Sequence, residues 1–259
     1  MNIVVCVKRV PMTQEVDLEI DASKKDLKKD MLAYVLNEWD NYAVEEAIQL
    51  KEKTGGTVVA ITVGTEDDEE VLRRCLAMGA DKAIRVDPGE RAMDALVKSR
   101  ILAEVIKGLE HDLILTGVQS DDVNDGMVGI LLAEQLDVPH AAVVTGIDPQ
   151  DKEATIKVEL EGGMDEVSKV SLPAVLSIQT GINEPRYVSI MGIRKAAKKE
   201  LNVMDLGDLG IGGDELMPMI TVEEYFLPPE TEGAEMIEGD AAAVAEQILK
   251  IIKEKGVSI

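Results

Sequence analysis

Three segments end apolar runs with residue types that could hold a small ligand. Val7-Lys8-Arg9 closes the first run, Val63-Gly64-Thr65 closes TVVAITVG, and Thr116-Gly117-Val118-Gln119 closes HDLILTGVQ. The last continues as GVQSDDVNDGMVG into a helical pattern. Gly126 and Gly129 allow close backbone approach, and the free amides of a helix start can hold a phosphate. The pattern is neither GxGxxG nor a Walker loop, since no Lys-Ser/Thr pair ends it. Two readings stay open from these residues alone. One is a nucleotide cradle; the other is a structural turn in which Asp121, Asp122 and Asp125 cap the helix rather than repel phosphate. Asn37 is open in the same way, as a reader of an adenine edge or as a turn cap.

Side-chain catalysis has little to work with. His111 and His140 stand at strand starts, and no Ser-His-Asp set or paired-carboxylate arrangement is suggested. Cys6 and Cys75 form no CxxC pair, and two cysteines with two histidines are a poor inventory for a transition metal. No catalytic residue and no metal ligand is assigned. A second kind of chemistry, recognition, is suggested by TGINEPRYVSIMGIRKAAKKE at 180–200. It gathers Arg186, Arg194, Lys195, Lys198 and Lys199 around an apolar Ile190-Met191, in a chain that is otherwise strongly acidic.

The chain has 27 basic and 50 acidic side chains in 259 residues, a net charge of −23. Such a field opposes nonspecific binding to DNA, RNA or anionic lipid and makes the local basic segment more conspicuous. One Phe, one Trp and four Tyr leave the core to Val, Ile, Leu, Ala and Met. No apolar run is long enough to span a bilayer, and no signal peptide is read at the start, so a cytoplasmic protein without membrane insertion is expected.

The elements that must position these residues alternate. NIVVCVKRV reads as a buried strand, and NEWDNYAVEEAIQLKEKTGG as a helix capped at Asp40 or Asn41 and stopped by Gly55-Gly56. TVVAITVG, KAIRVD, HDLILTGVQ and HAAVVTGI follow as strands, separated by helices over EDDEEVLRRCLAMGA, residues 92–108 and GMVGILLAEQLDV. The expected fold is α/β, an open, mostly parallel sheet with helices on both faces. In such a sheet ligands bind beyond the carboxyl ends of the strands, where strand order reverses. ATIKVELEGG and DEVSKVSLPAVLSIQ add an antiparallel hairpin. Residues 205–239 are rich in Gly, Pro and acid and read as an extended arm. The apolar-striped helix DAAAVAEQILKIIKEKG closes the chain, a combination explained if the tail packs on another chain.

VKRVP near the start, LNEWDNYAVEEAIQLKE at 36–52, RRCLAMGADKAIRV at 73–86, VELEGG at 158–163, LPAVLSIQ at 172–179, NEPRYVSIMGIRKAAKK at 183–199 and DLGDLG at 205–210 occur in order. Together they resemble the beta subunit of electron transfer flavoprotein, over essentially the whole chain. The resemblance implies an adenine nucleotide alpha hydrolase-like domain over 1–204, which includes the recognition segment 183–199, and an arm over 205–259 packed on the partner. It implies a heterodimer with an alpha subunit that holds most of the FAD, a redox-inactive AMP in this subunit, and no side-chain catalysis. Electrons would come from acyl-CoA or other dehydrogenases and pass to a quinone oxidoreductase or other acceptor. Carried onto this sequence, the AMP contacts fall near Cys6, Asn37, Val63, Gln119 and the helix start from Asp121 to Gly129. Trp39 stands where an aromatic often lies near the flavin. Ile190, with Met191 and Arg194, falls at the loop that docks on a dehydrogenase.

Two departures bear on this. Gly126, Met127, Val128 and Gly129 replace a more polar run, so the hydroxyl expected on the phosphate is missing; Val158 replaces a commonly basic residue. The first leaves room for an electron-bifurcating, NADH-linked beta subunit with a second FAD. A non-redox adenine-nucleotide-binding regulatory domain is the alternative of a different class.

Overall fold

The structure, a computed structural model, describes residues 1–13, 16–30, 32–229 and 233–256. In chain order its first half runs β1 (Ile3–Cys6), β2 (Arg9–Pro11), β3 (Tyr34–Leu36), α1 (Glu38–Thr54), β4 (Val58–Val63), α2 (Glu69–Met78), β5 (Lys82–Asp87), α3 (Ala95–Lys107) and β6 (Leu113–Gly117). The second half runs α4 (Val128–Leu136), β7 (His140–Pro149), β8 (Glu153–Leu160), β9 (Met164–Ser171), β10 (Ala174–Ile178), α5 (Ile190–Ala196), β11 (Leu201–Asp205), α6 (Leu206–Leu209) and α7 (Ala241–Glu254).

Among the described residues nine strands form one sheet in the order β11-β5-β4-β1-β6-β10-β7-β8-β9. From β11 to β7 neighbours are parallel; β8 pairs antiparallel with both β7 and β9, which makes the expected hairpin. The unbroken apolar runs follow from burial on both faces. In β1, Ile3 and Val5 pack with Val44, Ile48, Leu72 and Leu76 of α1 and α2. Val4 and Cys6 point the other way, toward Val97, Ile101 and Leu132 of α3 and α4. The fold is the expected α/β sheet with helices on both faces.

The chain builds outward from β1 through β4 to β5, then crosses back to lay β6 on the other side of β1. Strand order therefore reverses at β1 and β6, whose carboxyl ends carry Val7-Lys8 and Gly117-Val118. A small antiparallel pair, β2 with β3, joins the exit of β1 to the entry of α1. There Arg9 stacks over the Tyr34 ring at 3.9 Å.

α1 begins at Glu38, with Asn37 as its N-cap. The expected caps Asp40 and Asn41 both lie inside the helix instead, because Asp40 is turned into the protein to serve other amides. α4 begins at Val128, two residues after the Gly126 expected to open it.

Compact packing divides the chain into Met1–Glu223 and Glu224–Ile259. Residues just past 204 belong with the first unit: Leu206, Leu209 and Ile211 pack with the α3–α4 core and Leu216 is buried. The second unit contains α7, capped by Asp240, whose carboxylate accepts the Ala243 N–H. Ile248, Leu249 and Ile251 of α7 are exposed. Of the expected arm over 205–259, residues 230–232 and 257–259 lie outside the described residues.

Gly129 seats α4 against the sheet with no room for a side chain. A Cβ there would lie 2.3 Å from Ser177 Oγ and 2.8 Å from Thr116 Oγ1. G129A should lower stability by about 1–3 kcal/mol in urea unfolding, and S177A in the same chain should recover part of that loss. Independent, additive effects of the two changes would show that the contact does not set the α4 position.

Candidate functional site: a strand-end crevice and a mounted apolar arch

Where β1 and β6 part, their terminal amides lose ladder partners, and one carboxylate takes both. Asp40 Oδ2 accepts the Lys8 N–H at 2.8 Å and Oδ1 accepts the Gly117 N–H at 3.1 Å. Asp40 is buried. Burial pushes its carboxyl up to about 7, although the neighbouring Asn37 amide and the Lys8 and Gly117 N–H groups favour the charge. Gly117 is required at this approach, since a Cβ would lie 2.5 Å from Asp40 Oδ1 and 2.6 Å from Trp39 Cβ.

The next loop is tied to the same helix start. Asn37, fully buried, donates through Nδ2 to the Gln119 carbonyl at 2.8 Å, and its Oδ1 accepts the Asp121 N–H at 3.1 Å. Trp39 Nε1 donates to Gln179 Oε1 at 2.9 Å, just past β10. Asn37, Trp39, Gln119 and Asp121 are thus brought together by α1, the sequel of β6 and the exit of β10. Val63 ends β4, half-buried, two strands from β6. Cys6 is buried at the end of β1, and burial raises its thiol far above the ordinary range.

Gly126, with φ of 63°, turns the chain into α4, and Gly129 is buried beneath it. Met127 is exposed. None of the three aspartates caps α4, whose N-cap is Met127 without a side-chain bond. Asp122 instead pairs with Lys8: Nζ lies 2.5 Å from Asp122 Oδ1 and 3.2 Å from Ser120 Oγ. Lys98 lies on α3 and is half-buried. Burial, then the positive charge of Lys8, lower its pKa, while Asp122, Asp125 and Asp94 oppose. The bonds that Asp40 and the Lys8–Asp122 pair make were not legible in the sequence, because their partners are distant along the chain.

The residues present fit a phosphate-bearing nucleotide: the Lys8 ammonium lies at the strand end, Gly126, with positive φ, opens the helix start, and Gly129 keeps that helix close to the sheet. A hydroxyl at 126–128 is not part of this set. The two histidines are engaged elsewhere. His111 Nδ1–H donates to the Leu109 carbonyl at 2.9 Å, and His140 Nε2 lies 3.0 Å from Ser177 Oγ. Among the described residues no group of three or more His, Cys, Asp or Glu could hold a metal, and no helix is long and apolar enough to cross a membrane.

The basic segment forms a second feature, and its five cations divide into two kinds. Arg186 turns inward, its Nε 2.8 Å from Glu45 Oε2 and its Nη1 2.8 Å from Glu52 Oε1, with Nη2 completing both forks. Glu45 is almost wholly buried; burial would raise its pKa, but the bonds from Arg186 and Gln49 hold it below the usual range. Asn183 donates to Glu46 Oε2 at 2.9 Å and to the Tyr42 carbonyl at 3.2 Å. At the far end Lys199 Nζ bonds the Leu76 and Ala80 carbonyls at 3.0 and 2.7 Å. Arg73 returns the grip, reaching the carbonyls of Ala196 and Lys199 at 3.1 and 3.0 Å.

Between these anchors Tyr187 is 91% exposed, Ile190 71% and Met191 67%, while Ile193 is also open and Arg194, Lys195 and Lys198 face solvent. Ser189 caps α5 through the Gly192 N–H. The arch is therefore an apolar tip ringed by free cations and held at both feet.

A parallel sheet with a charged crevice at its strand reversal thus carries a separately mounted apolar arch. The electron transfer flavoprotein domain model matches residues 28–209. The chain is 42% identical to the electron transfer flavoprotein subunit beta of Methylophilus methylotrophus over 98% of both chains. It is 37% identical to that of Bacillus subtilis, again over 98% of both. Identity to the caffeyl-CoA reductase-Etf complex subunit CarD of Acetobacterium woodii is 35%, over 98% of this chain and 99% of that one. The chain belongs to the electron transfer flavoprotein beta subunit family.

Two outcomes follow from the geometry. Asp40 has a folded-state pKa raised from 3.8 to about 7, so its stabilising contribution is full below about pH 3.8 and is lost as pH rises through 7. Measured against D40N by urea unfolding, the wild-type chain should lose relative stability between about pH 4 and 7 and then level off; a flat difference would show ordinary ionisation. R186A leaves the buried Glu45 charge without its partner and should cost about 2 kcal/mol. R186K should recover only part, because an ammonium cannot form the two forks. Equal stability of R186K and wild type would show that charge alone suffices.

Proposed function

We propose that this chain pairs with an alpha subunit and serves as the beta half of a soluble electron carrier, with AMP in the strand-end crevice and FAD held mostly by the partner. FAD supplies the uptake and release of electrons. This chain's residues bind, orient and recruit: the crevice holds the nucleotide, Trp39 stands toward the flavin side, and the arch docks on a donor dehydrogenase. The acceptor is a quinone oxidoreductase or a comparable electron-accepting protein, and the 205–259 segment packs on the alpha subunit. The cytoplasm is the compartment consistent with two free, buried thiols.

The observation that carries this reading is the arch. Exposed Ile190 and Met191 on a segment pinned by Arg186 and Lys199 suit a small, preformed interface that exchanges partners quickly. A central apolar residue ringed by polar groups supplies most of the affinity in such contacts.

A second reading is favoured by one observation, the lack of a hydroxyl at Gly126, Met127 and Val128. It makes the crevice the seat of a second FAD in a bifurcating, NADH-linked pair. Coexpression with the alpha chain, followed by acid release and chromatography, separates the two. One FAD and one AMP per pair is expected; two FADs without AMP would establish the second reading, and a flavin-free solitary chain would overturn both.

I190A should leave nucleotide content unchanged and lower kcat/KM for electron transfer from a dehydrogenase by about tenfold or more. An unchanged kcat/KM would remove Ile190 from the docking surface.

A further inference from the structure

The tip of the arch carries a group with chemistry of its own, the thioether of Met191. It is the only methionine between residues 180 and 200. Its outward position follows from what the other side of α5 does. Gly192 and Ala196, four residues apart, lie toward α2. A Cβ on Gly192 would stand 3.5 Å from the Ala77 carbonyl oxygen, and Ala196 is fully buried. Val188, just before the helix, packs on the core as well. With that side taken, Met191 stands beside Ile190 and Ile193 in solvent, 67% exposed. Rolling α5 to cover it would break the bonds that Arg73 and Lys199 make at the foot of the arch.

An exposed thioether is soft and open to two-electron oxidants, and sulfoxide formation turns a flexible apolar side chain into a polar one. In a core that change unsettles the fold; on an idle surface it passes without effect. Met191 falls in neither class. It belongs to neither buried core cluster, so the fold does not register the change. It does sit within the apolar tip, where a docking protein would have to bury the new sulfoxide oxygen without supplying it a donor. Met164, Met219 and Met236 are also exposed, but off the arch. The thiols offer no competing sensor. Cys6 and Cys75 are both buried, and burial raises each well above the range in which a reactive thiolate forms.

We propose that Met191 is a reversible oxidation site, modified by hydrogen peroxide, that switches the docking surface off while the fold stays intact. The proposal rests on the reading that the arch docks on a donor dehydrogenase. In the forward step the Met191 sulfur takes one oxygen from the peroxide. An S–O bond forms, the O–O bond breaks, the sulfur gives up two electrons, and the second oxygen leaves with both protons as water. A methionine sulfoxide reductase reverses the step with two thiols, which become a disulfide while the sulfoxide oxygen departs as water.

The test treats the heterodimer with dilute hydrogen peroxide, locates sulfoxides by peptide mass spectrometry, and measures electron transfer from an acyl-CoA dehydrogenase. Met191 should be oxidised, and the KM for the heterodimer should rise about tenfold while kcat, FAD content and circular dichroism hold. Sulfoxide reductase with a thiol should restore the KM. The ratio of treated to untreated KM should stay near one in M191L, whereas M164L should respond as the wild type does. A Met191 that stays unoxidised while Met164 carries sulfoxide overturns the proposal, as does a treated M191L that loses as much as the wild type. The untreated I190A variant separates this from the docking reading. If I190A leaves kcat/KM unchanged, the docking reading falls and the proposal with it. If I190A lowers kcat/KM but oxidation of Met191 leaves KM unchanged, the proposal alone is overturned.

Discussion

A parallel sheet whose strand order reverses must let two neighbouring strands part company at their carboxyl ends. The amides exposed there need acceptors, and in this chain a single carboxylate supplies them. Asp40 reaches the Lys8 amide on one side and the Gly117 amide on the other, and no other described side chain touches both. Everything at the crevice is built around that bridge. It brings the start of α1 over the gap, places Asn37 where it can hold the loop after β6, and forces glycine at 117. Burying a carboxylate is costly. The cost is tolerable because two N–H groups, themselves expensive to leave unpaired in the interior, are satisfied in return.

The same helix carries the mount of the arch. Asn37 and Asp40 serve the crevice from the first turn of α1, while Glu45, Glu46 and Glu52 further along hold Asn183 and Arg186. One rigid element thus sets both the crevice, where we propose a small molecule is held, and the arch, where we propose a macromolecule docks. The two uses make opposite demands. A ligand cradle benefits from burial and fixed geometry, whereas a docking tip must stay bare. Carboxylates spaced along one helix meet both demands, because those near its start face the sheet and those beyond reach across to the arch.

Much of this was legible in the amino-acid sequence. Runs such as VVAITV and KAIRVD could only be strands buried on both faces, and Gly55 and Gly79 marked where α1 and α2 stop. The basic segment was conspicuous against a charge of −23. What stayed hidden is any role fixed by a distant partner. Arg186 and Lys199 look like members of one cationic cluster with Arg194, Lys195 and Lys198. Only the fold separates the two that turn inward from the three that remain in water. Asp40 read as a helix cap because that is the ordinary use of an aspartate near a helix start; its bonds reach 32 and 77 residues away.

The grips that Arg73 and Lys199 exert all end on main-chain carbonyl oxygens, at Ala196, Lys199, Leu76 and Ala80. Such bonds are indifferent to side-chain identity along the arch. Over generations the bare tip at Tyr187, Ile190, Met191 and Ile193 can therefore drift, one substitution at a time, without loosening its own foundation. The surface can change its shape and chemistry while the scaffold beneath stays as it was.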